Sequence, residues 1–340
     1  MKYKIHIIGG ALMLSSLSGY AQEITDTTVV NVAYGVQSSK TQSAAISTVK
    51  GERLMEITSP TVGNSLKGML PGLSILQKSG EPGYDFYMEN MFTRGVSSFN
   101  SKQQMLVFVD GFEAPLDNIS AEEIESVSLL KDAAALAIYG SRGANGVLLI
   151  TTKKGYHSSP KIGFRMQTGI QMPTIMDTPM DAYNYARLYN QALENDGKAA
   201  LYTNEALAAY QSGSNQYLYP NVNWKNQLYK NTTPLTMSEL SFRGGGGGLN
   251  YYVMAGLMHN DGIYRGTDSK QRENANVNYA RYNFRANLDV DITKYFRTFL
   301  YSGVSFAEKT TPGAGGADDY LKSVWTTPPN AFPVYNPNGS

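Results

Sequence analysis

The chain contains no cysteine, so neither a disulfide framework nor a thiolate metal site is available to its 340 residues. Histidine is scarce as well: His6, His157 and His259 stand far apart, outside zinc-ligand spacing. Charged residues make up 17%, below the roughly 25% of ordinary soluble domains. The formal net charge of +1 removes the electrostatic case for a nucleic-acid partner. No run of about 20 apolar residues occurs, which excludes a membrane-spanning helix. No Ser/His/Asp pattern points to a hydrolase, so the expectation is a protein without catalytic residues, cofactor or metal.

Hydrophobic residues reach 42%, with 33 Gly and 24 Tyr. So apolar and aromatic a chain is not disordered. Low charge with abundant Tyr and Gly suits a β-rich protein able to meet lipid through its strands. The length allows two or three domains with a sizeable core.

The first residues read as a secretory signal. Lys2 and Lys4 form a basic start, Ile5 to Leu17 is largely apolar, and Gly19-Tyr20-Ala21 offers small residues at the −3 and −1 positions of a cleavage site. Cleavage after Ala21 would take two Lys and no acid, leaving a mature charge of −1. An exported chain without cysteine carries no lipidated N-terminal Cys and relies on its own core or on a closed sheet.

The remainder divides by texture. Residues 22–45 form a polar, small-residue tail holding one β-branched cluster, Thr27 to Val32. Residues 46–157 alternate α and β signals. Val62 to Leu70 has helical spacing, Leu73 to Gln77 is a short strand, and Met105 to Val109 is a buried strand run. Ser120 with Glu123 makes a capping box. Val127 to Leu130 is extended, Ala133 to Tyr139 helical, and Gly146 to Thr152 a second buried strand.

From residue 158 onward the period becomes two. In 279–290, Ala280, Tyr282, Phe284, Ala286, Leu288 and Val290 share one face, while Tyr279, Arg281, Asn283, Arg285, Asn287 and Asp289 share the other. About ten residues of such alternation suit a lipid-facing barrel strand with a polar interior. Alternation alone equally fits a half-solvated sandwich sheet. Strands are expected at 161–171, 234–243, 249–260, 278–291 and 297–308, with helices at 181–193 and 204–211. Their connections run long, short, long, short, long, the parity of outer-membrane barrels, and this favours the barrel. Residues 310–340, rich in Pro and Gly, read as a loop.

The stretch Leu129 to Gly155, with Lys131-Asp132, Tyr139-Gly140-Ser141-Arg142-Gly143 and Asn145-Gly146, closely resembles the plug of SusC/RagA-type TonB-dependent outer-membrane transporters. Leu66-Lys67-Gly68, Pro71-Gly72-Leu73, Ser79 to Gly83, Thr93-Arg94-Gly95 and Val109-Asp110-Gly111 support the resemblance. Tyr219 to Trp224 and Arg281 to Asp289 look like the start of that family's barrel. The match runs from about residue 27 to at least 309.

The resemblance implies an α/β plug followed by about five strands of an antiparallel transmembrane β-barrel, which in the family has about 22 strands. It implies import of a large nutrient, oligosaccharide or peptide, powered by TonB of the inner membrane. A SusD-like surface lipoprotein and outer-membrane lipid are the further partners implied. A siderophore or vitamin importer on the same scaffold is the nearest rival, and a non-transporting remnant is the rival of another class. Two departures stand out: the tail follows the signal directly where many members carry a small β-sandwich, and Phe86 to Phe92 lacks the usual alternation.

Thr27, Thr28, Val29, Val30, Asn31, Val32, Ala33 and Tyr34 are the expected TonB box, an extended segment that adds a strand to a partner's sheet edge. The glycines of Gly140 to Gly146 read as tight-turn residues, since a phosphate loop would open a helix rather than follow one. Asp110-Gly111 reads as a turn. Lys131, Asp132 and Arg142 suggest either polar contacts from plug to barrel lumen or ordinary solvated ion pairs. Asp318-Asp319 suggests a solvated pair more than a Ca²⁺ ligand. Eighteen of the 24 Tyr follow Gly155, fitting a membrane girdle. About 22 strands of ten residues need about 220 residues before any loop, and 185 follow Gly155, so the sequence reads as the N-terminal portion of a longer transporter.

Overall fold

The computed structural model describes residues 4–13, 29–32, 35–38, 44–77, 79–83, 91–95, 105–174, 178–265, 276–311 and 317–336. Strand β1 (Lys4–Met13) lies within the expected signal, and β2 (Val29–Val32) pairs antiparallel with β3 (Gly35–Ser38) in the tail.

The plug begins at β4 (Ile46–Lys50), followed by helices α1 (Gly51–Met55) and α2 (Val62–Ser65). Then come β5 (Leu73–Ile75), β6 (Met91–Thr93), β7 (Leu106–Val109) and β8 (Phe112–Glu113). A 3₁₀ turn at Ala121–Glu123 leads into β9 (Ile124–Leu130). Helix α3 (Ala133–Leu136) continues into a 3₁₀ stretch, Ala137–Asn145, and β10 (Val147–Thr152) closes the domain.

Five of these strands form one sheet in the order β4-β9-β10-β7-β8, with β10 and β7 parallel at its heart, while β5 and β6 pair antiparallel by themselves. Both faces are covered, which is why the parallel pair β7 and β10 carry the continuous apolar runs Leu106–Val109 and Val147–Ile150 rather than alternation. One face packs Leu54, Leu66, Met105, Leu116, Ile119, Ile124 and Leu148 into the main core. The other gathers Leu106, Leu130, Val147 and Leu149 under α3 and Tyr139. Two helical expectations shorten here. The pattern from Val62 yields one turn of helix ending in hydrogen-bonded turns, and the helix from Ala133 changes to 3₁₀ and kinks at Gly140 (φ 59°). Packing against the sheet, not helical propensity, sets both lengths.

Five long strands follow: β11 (Ser158–Gln171), β12 (Thr233–Gly246), β13 (Leu249–Asp261), β14 (Asn278–Thr293) and β15 (Phe296–Thr310). They lie side by side in chain order, β12 antiparallel to β13, and β1 pairs antiparallel with the outer edge of β15. The sheet is not closed on itself among the described residues. Its period of two is literal in the burial: on β11, Ile162 and Phe164 are 71% and 70% exposed, while on β14 the polar alternate residues are buried.

By compactness the chain divides otherwise than by sequence texture. One unit comprises Met1–Gly169, Pro234–Asn260 and Tyr279–Lys309, which is the plug with most of the strands. The other comprises Ile170–Thr233, Asp261–Asn278 and Thr310–Ser340, which are the three long connections. That second unit has its own helices, α4 (Ala182–Asn195), α5 (Asn204–Ser212), α6 (Trp224–Leu228) and α7 (Ala317–Thr326). Asp181, Thr203 and Asn223 cap the first three, each accepting a backbone N–H at the third helical position. Tyr202, Tyr210 and Tyr219 pack edge-to-face in one cluster, and Tyr229, Tyr264, Val277 and Val324 form another. The Pro/Gly-rich end expected as a loop contains α7, and Asp318-Asp319 lie in its first turn instead of a loop.

Candidate functional site: a latch between plug and strand

Four alternate residues of β14, namely Arg281, Asn283, Arg285 and Asn287, turn inward and are buried against the plug. The intervening Tyr282 and Phe284 are exposed, as their parity requires. Arg285 is the centre. Its Nε donates to Glu123 Oε2 at 2.5 Å, and its Nη1 lies 3.8 Å from Asp110 Oδ2. A glycine on the next strand makes room for the guanidinium: a Cβ at Gly303 would sit 2.7 Å from its nitrogen.

Local chemistry positions both carboxylates. Glu123 closes the capping box of its 3₁₀ turn, with Oε1 accepting Ser120 N–H at 3.0 Å and the Asn283 amide at 3.0 Å. Asp110 and Gly111 form the two-residue β7–β8 turn, both at positive φ (49° and 90°), the pairing a tight hairpin favours. The Asp110 carboxylate accepts Thr152 N–H at 2.9 Å and its hydroxyl at 2.5 Å. Asn287 donates to that same hydroxyl at 2.7 Å and to Lys153 O at 2.8 Å. Arg281 and Asn283 complete the row by donating to the carbonyls of Asp117 and Asn118, at 2.5 and 2.7 Å.

The other strands contribute too. Ser120 donates to Glu239 of β12, Tyr252 of β13 donates to Glu122 O at 3.0 Å, and Arg243 donates to Lys154 O at 2.5 Å. Arg285 and Glu123 are 4% and 2% exposed, so each has lost its water, at a cost of several kcal/mol per ion. Hydrogen bonds on all sides offset that loss. Such an arrangement fixes where the plug sits. It holds a position and supplies no reacting group.

The motif residues lie elsewhere. Lys131 donates to Ser47 Oγ at 2.6 Å and Pro71 O at 2.9 Å. Asp132 accepts Ala45 N–H at 2.7 Å and caps α3 through Ala135 N–H at 2.9 Å. These backbone donors, Ala45 first, hold its carboxyl below the usual aspartate range. Arg142 pairs with Glu113 at 2.6 Å, both side chains largely in solvent. None of the three reaches strands β11 to β15 in these bonds, and Arg142 with Glu113 makes the solvated ion pair that was one of the two expectations. The motif runs along the plug's own surface, and the bridging falls to Glu123 and Asp110.

Gly140 (φ 59°) and Gly146 (φ 96°) occupy the left-handed conformations that the turn reading required. Arg94 (φ 58°) and Gly95 (φ 98°) make a further turn, with Arg94 N–H donating to Gly72 O at 3.0 Å. Tyr139 stacks at a tilt on Phe108, and Asn145 ends the 3₁₀ stretch. Of the expected TonB box, Val29–Val32 is strand β2, while Thr27, Thr28, Ala33 and Tyr34 lie outside the described residues. Of Phe86 to Phe92, only Met91 and Phe92 are described, both in β6. Among the described residues, no group of three His, Cys, Asp or Glu is placed to hold a metal.

Residues 38–147 match the family model described as the TonB-dependent Receptor Plug Domain. The TonB-dependent receptor P3 of Formosa agariphila is 29% identical over 92% of this chain and 28% of its own length. The TonB-dependent receptor SusC of Bacteroides thetaiotaomicron is 27% identical over 81% of this chain and 26% of its own. In three dimensions the chain overlays the RagAB peptide importer in its "open-open" state with a TM-score of 0.68 and 25% identity, over 92% of this chain and 36% of that one. It carries the plug of a TonB-dependent receptor and resembles the SusC/RagA type over most of its length. It spans 28% of the length of the first of these relatives. The α/β plug followed by five strands of an unclosed antiparallel barrel is therefore the family's own architecture over that span.

Proposed function

We propose that this chain serves TonB-dependent import of a large nutrient, an oligosaccharide or a peptide, across the bacterial outer membrane. One observation carries the reading: β14 shows lipid-compatible Tyr282 and Phe284 outward while its inward Arg and Asn side chains bond the plug. A sheet apolar outside and filled inside by a folded domain is suited to a membrane pore closed by a plug. Residues 27–34 are the segment that TonB takes up by strand addition, and a pull on it rearranges the plug. A SusD-like lipoprotein serves as the lid. The likeness to a peptide importer and to SusC supports a polymeric nutrient over a siderophore or vitamin. Residues 1–21 act as a cleaved export signal, placing the mature start at Gln22.

The test deletes codons 27–34 from the gene in its native locus and measures uptake of labelled oligopeptides and oligosaccharides. Surface-located receptor with uptake abolished is the expected result. Retained uptake overturns the assignment. A heat-modifiability gel on the same membranes separates a closed barrel, which shifts on boiling, from a plug-bearing remnant, which does not.

A further inference from the structure

Two adjacent charged residues of the plug signature, Lys131 and Asp132, hold backbone and side-chain groups where the plug begins. Both follow directly on Leu130, the last residue of β9. Asp132 has extended backbone (φ −116°, ψ 162°), so its side chain and that of Lys131 leave the chain on opposite sides. Between them they hold the segment where the tail becomes β4. Asp132 Oδ2 accepts Ala45 N–H at 2.7 Å, one residue before the strand begins. Lys131 Nζ reaches Ser47 Oγ at 2.6 Å and Pro71 O at 2.9 Å, and Ser47 Oγ itself donates to Pro71 O at 3.2 Å. The Lys131 stem lies over Gly72, where a Cβ would come within 2.8 Å of its Cδ.

The placement matters because of topology. Among the described residues, strand β4 is an edge strand whose sheet neighbour is β9, and its first register pair is Ile46↔Leu130. Any tension arriving from residues before 44 must open that pair before Ser47↔Leu129 and those that follow, down to Lys50↔Ser126. The two side chains sit at the point where peeling starts. Bonds to an ionised group are roughly twice as strong as neutral ones, so a carboxylate and an ammonium resist there more than the ladder does.

We propose that Lys131 and Asp132 form a clasp on residues 45–47 that sets the load at which a pull on the tail strips β4 from the plug sheet. This rests on the reading that the tail is pulled, and assigns its resistance to two named residues. The clasp does not touch the nutrient. It decides when force from the tail is passed into the sheet.

The absence of cysteine makes the test direct, because introduced thiols are unique attachment points. The full chain, in detergent micelles, carries Ser38→Cys and Ser340→Cys handles and is held at constant force. Asp132→Asn keeps one oxygen for the α3 cap but turns an amide toward Ala45 N–H. Lys131→Met keeps the stem, and Ser47→Ala removes only the hydroxyl. Each is expected to shorten the lifetime before the first extension step by about tenfold, Ser47→Ala by less. A second geometry, with Ile138→Cys in place of Ser38→Cys, pulls the plug without loading β4, and there the lifetimes stay unchanged. Unchanged lifetimes from the tail handle overturn the clasp. Equal shortening in both geometries also overturns it, since that marks general destabilisation. Should Asp132→Asn fail to fold, the Ser47→Ala lifetimes in the two geometries decide between the same outcomes. Failure of the tail-deletion uptake test would instead remove the import reading and leave the measured lifetimes standing.

Discussion

Replacing Arg285 by alanine removes the cation that faces both Glu123 and Asp110. Glu123 would keep its bonds to Ser120 N–H and Asn283 but hold an uncompensated charge at 2% exposure. Breaking a buried pair in this way costs about 3–5 kcal/mol. Exposed pairs such as Arg142–Glu113, at 66% and 42% exposure, are worth about 0.2–1 kcal/mol. The difference is readable by hydrogen-exchange mass spectrometry on the full chain in micelles, following peptides over 124–130 and 147–152. Where exchange follows equilibrium opening, Arg285→Ala should speed it roughly a hundred- to several-thousand-fold. Arg142→Ala should change it by less than tenfold. The double variant Arg285→Met with Glu123→Gln removes the closer pair, keeps the capping box and leaves Asp110 its two bonds from Thr152, so it should recover most of the protection. If Arg285→Ala stays within tenfold of the parent, or the double variant exchanges as fast as the single, the latch is not electrostatic and the reasoning fails.

Three further outcomes follow from the same geometry. Gly51→Ala places a Cβ 1.9 Å from Ile124 O, a backbone atom that no rotamer change moves, so the plug should lose at least about 1–3 kcal/mol, seen as a lower urea midpoint. Thr152→Val deletes the hydroxyl that donates to Asp110 and accepts from Asn287, at an expected cost of about 1–3 kcal/mol in the exchange assay above. The Asp132 carboxyl has its pKa lowered in the folded state, so its contribution is full above the unfolded value of 3.8 and is lost as pH falls through the lower folded value. Limited proteolysis at residues 44–50 should therefore be flat from pH 8 to about 5 and rise only in stronger acid, whereas Asp132→Asn should be equally susceptible throughout.

Much of the fold was legible because its signals are local. The five barrel strands fall within a few residues of their expected bounds, since period-two alternation over a dozen residues cannot be mistaken for a helix. Ser120 and Glu123 announced their capping box through a spacing of three. What the sequence did not announce is that Glu123 has a second occupation. Its partner Arg285 stands 162 positions away, and no local pattern joins a capping glutamate to an arginine in a distant strand. Asp110 was hidden the same way, behind its evident role as a turn residue. Conversely, Lys131, Asp132 and Arg142 drew attention as conspicuous charges in an apolar motif, and their bonds stay on the plug surface. Helix α6 escaped because five residues carry too little periodicity.

The polar face of β14 changes meaning accordingly. Read as sequence, alternating Arg and Asn suggest a wall in contact with water. In the fold those side chains meet carboxylates and carbonyls of Asp110, Asp117, Asn118, Glu123 and Lys153. Water would satisfy such groups in almost any orientation, whereas a protein surface satisfies them in one. The same alternation therefore does two things at once: its apolar half faces outward and suits lipid, and its polar half selects a single seat for the plug. On the import reading proposed above, such a plug is released most economically from elsewhere, by stripping an edge strand such as β4. Breaking the buried row directly would expose Arg285 and Glu123 together.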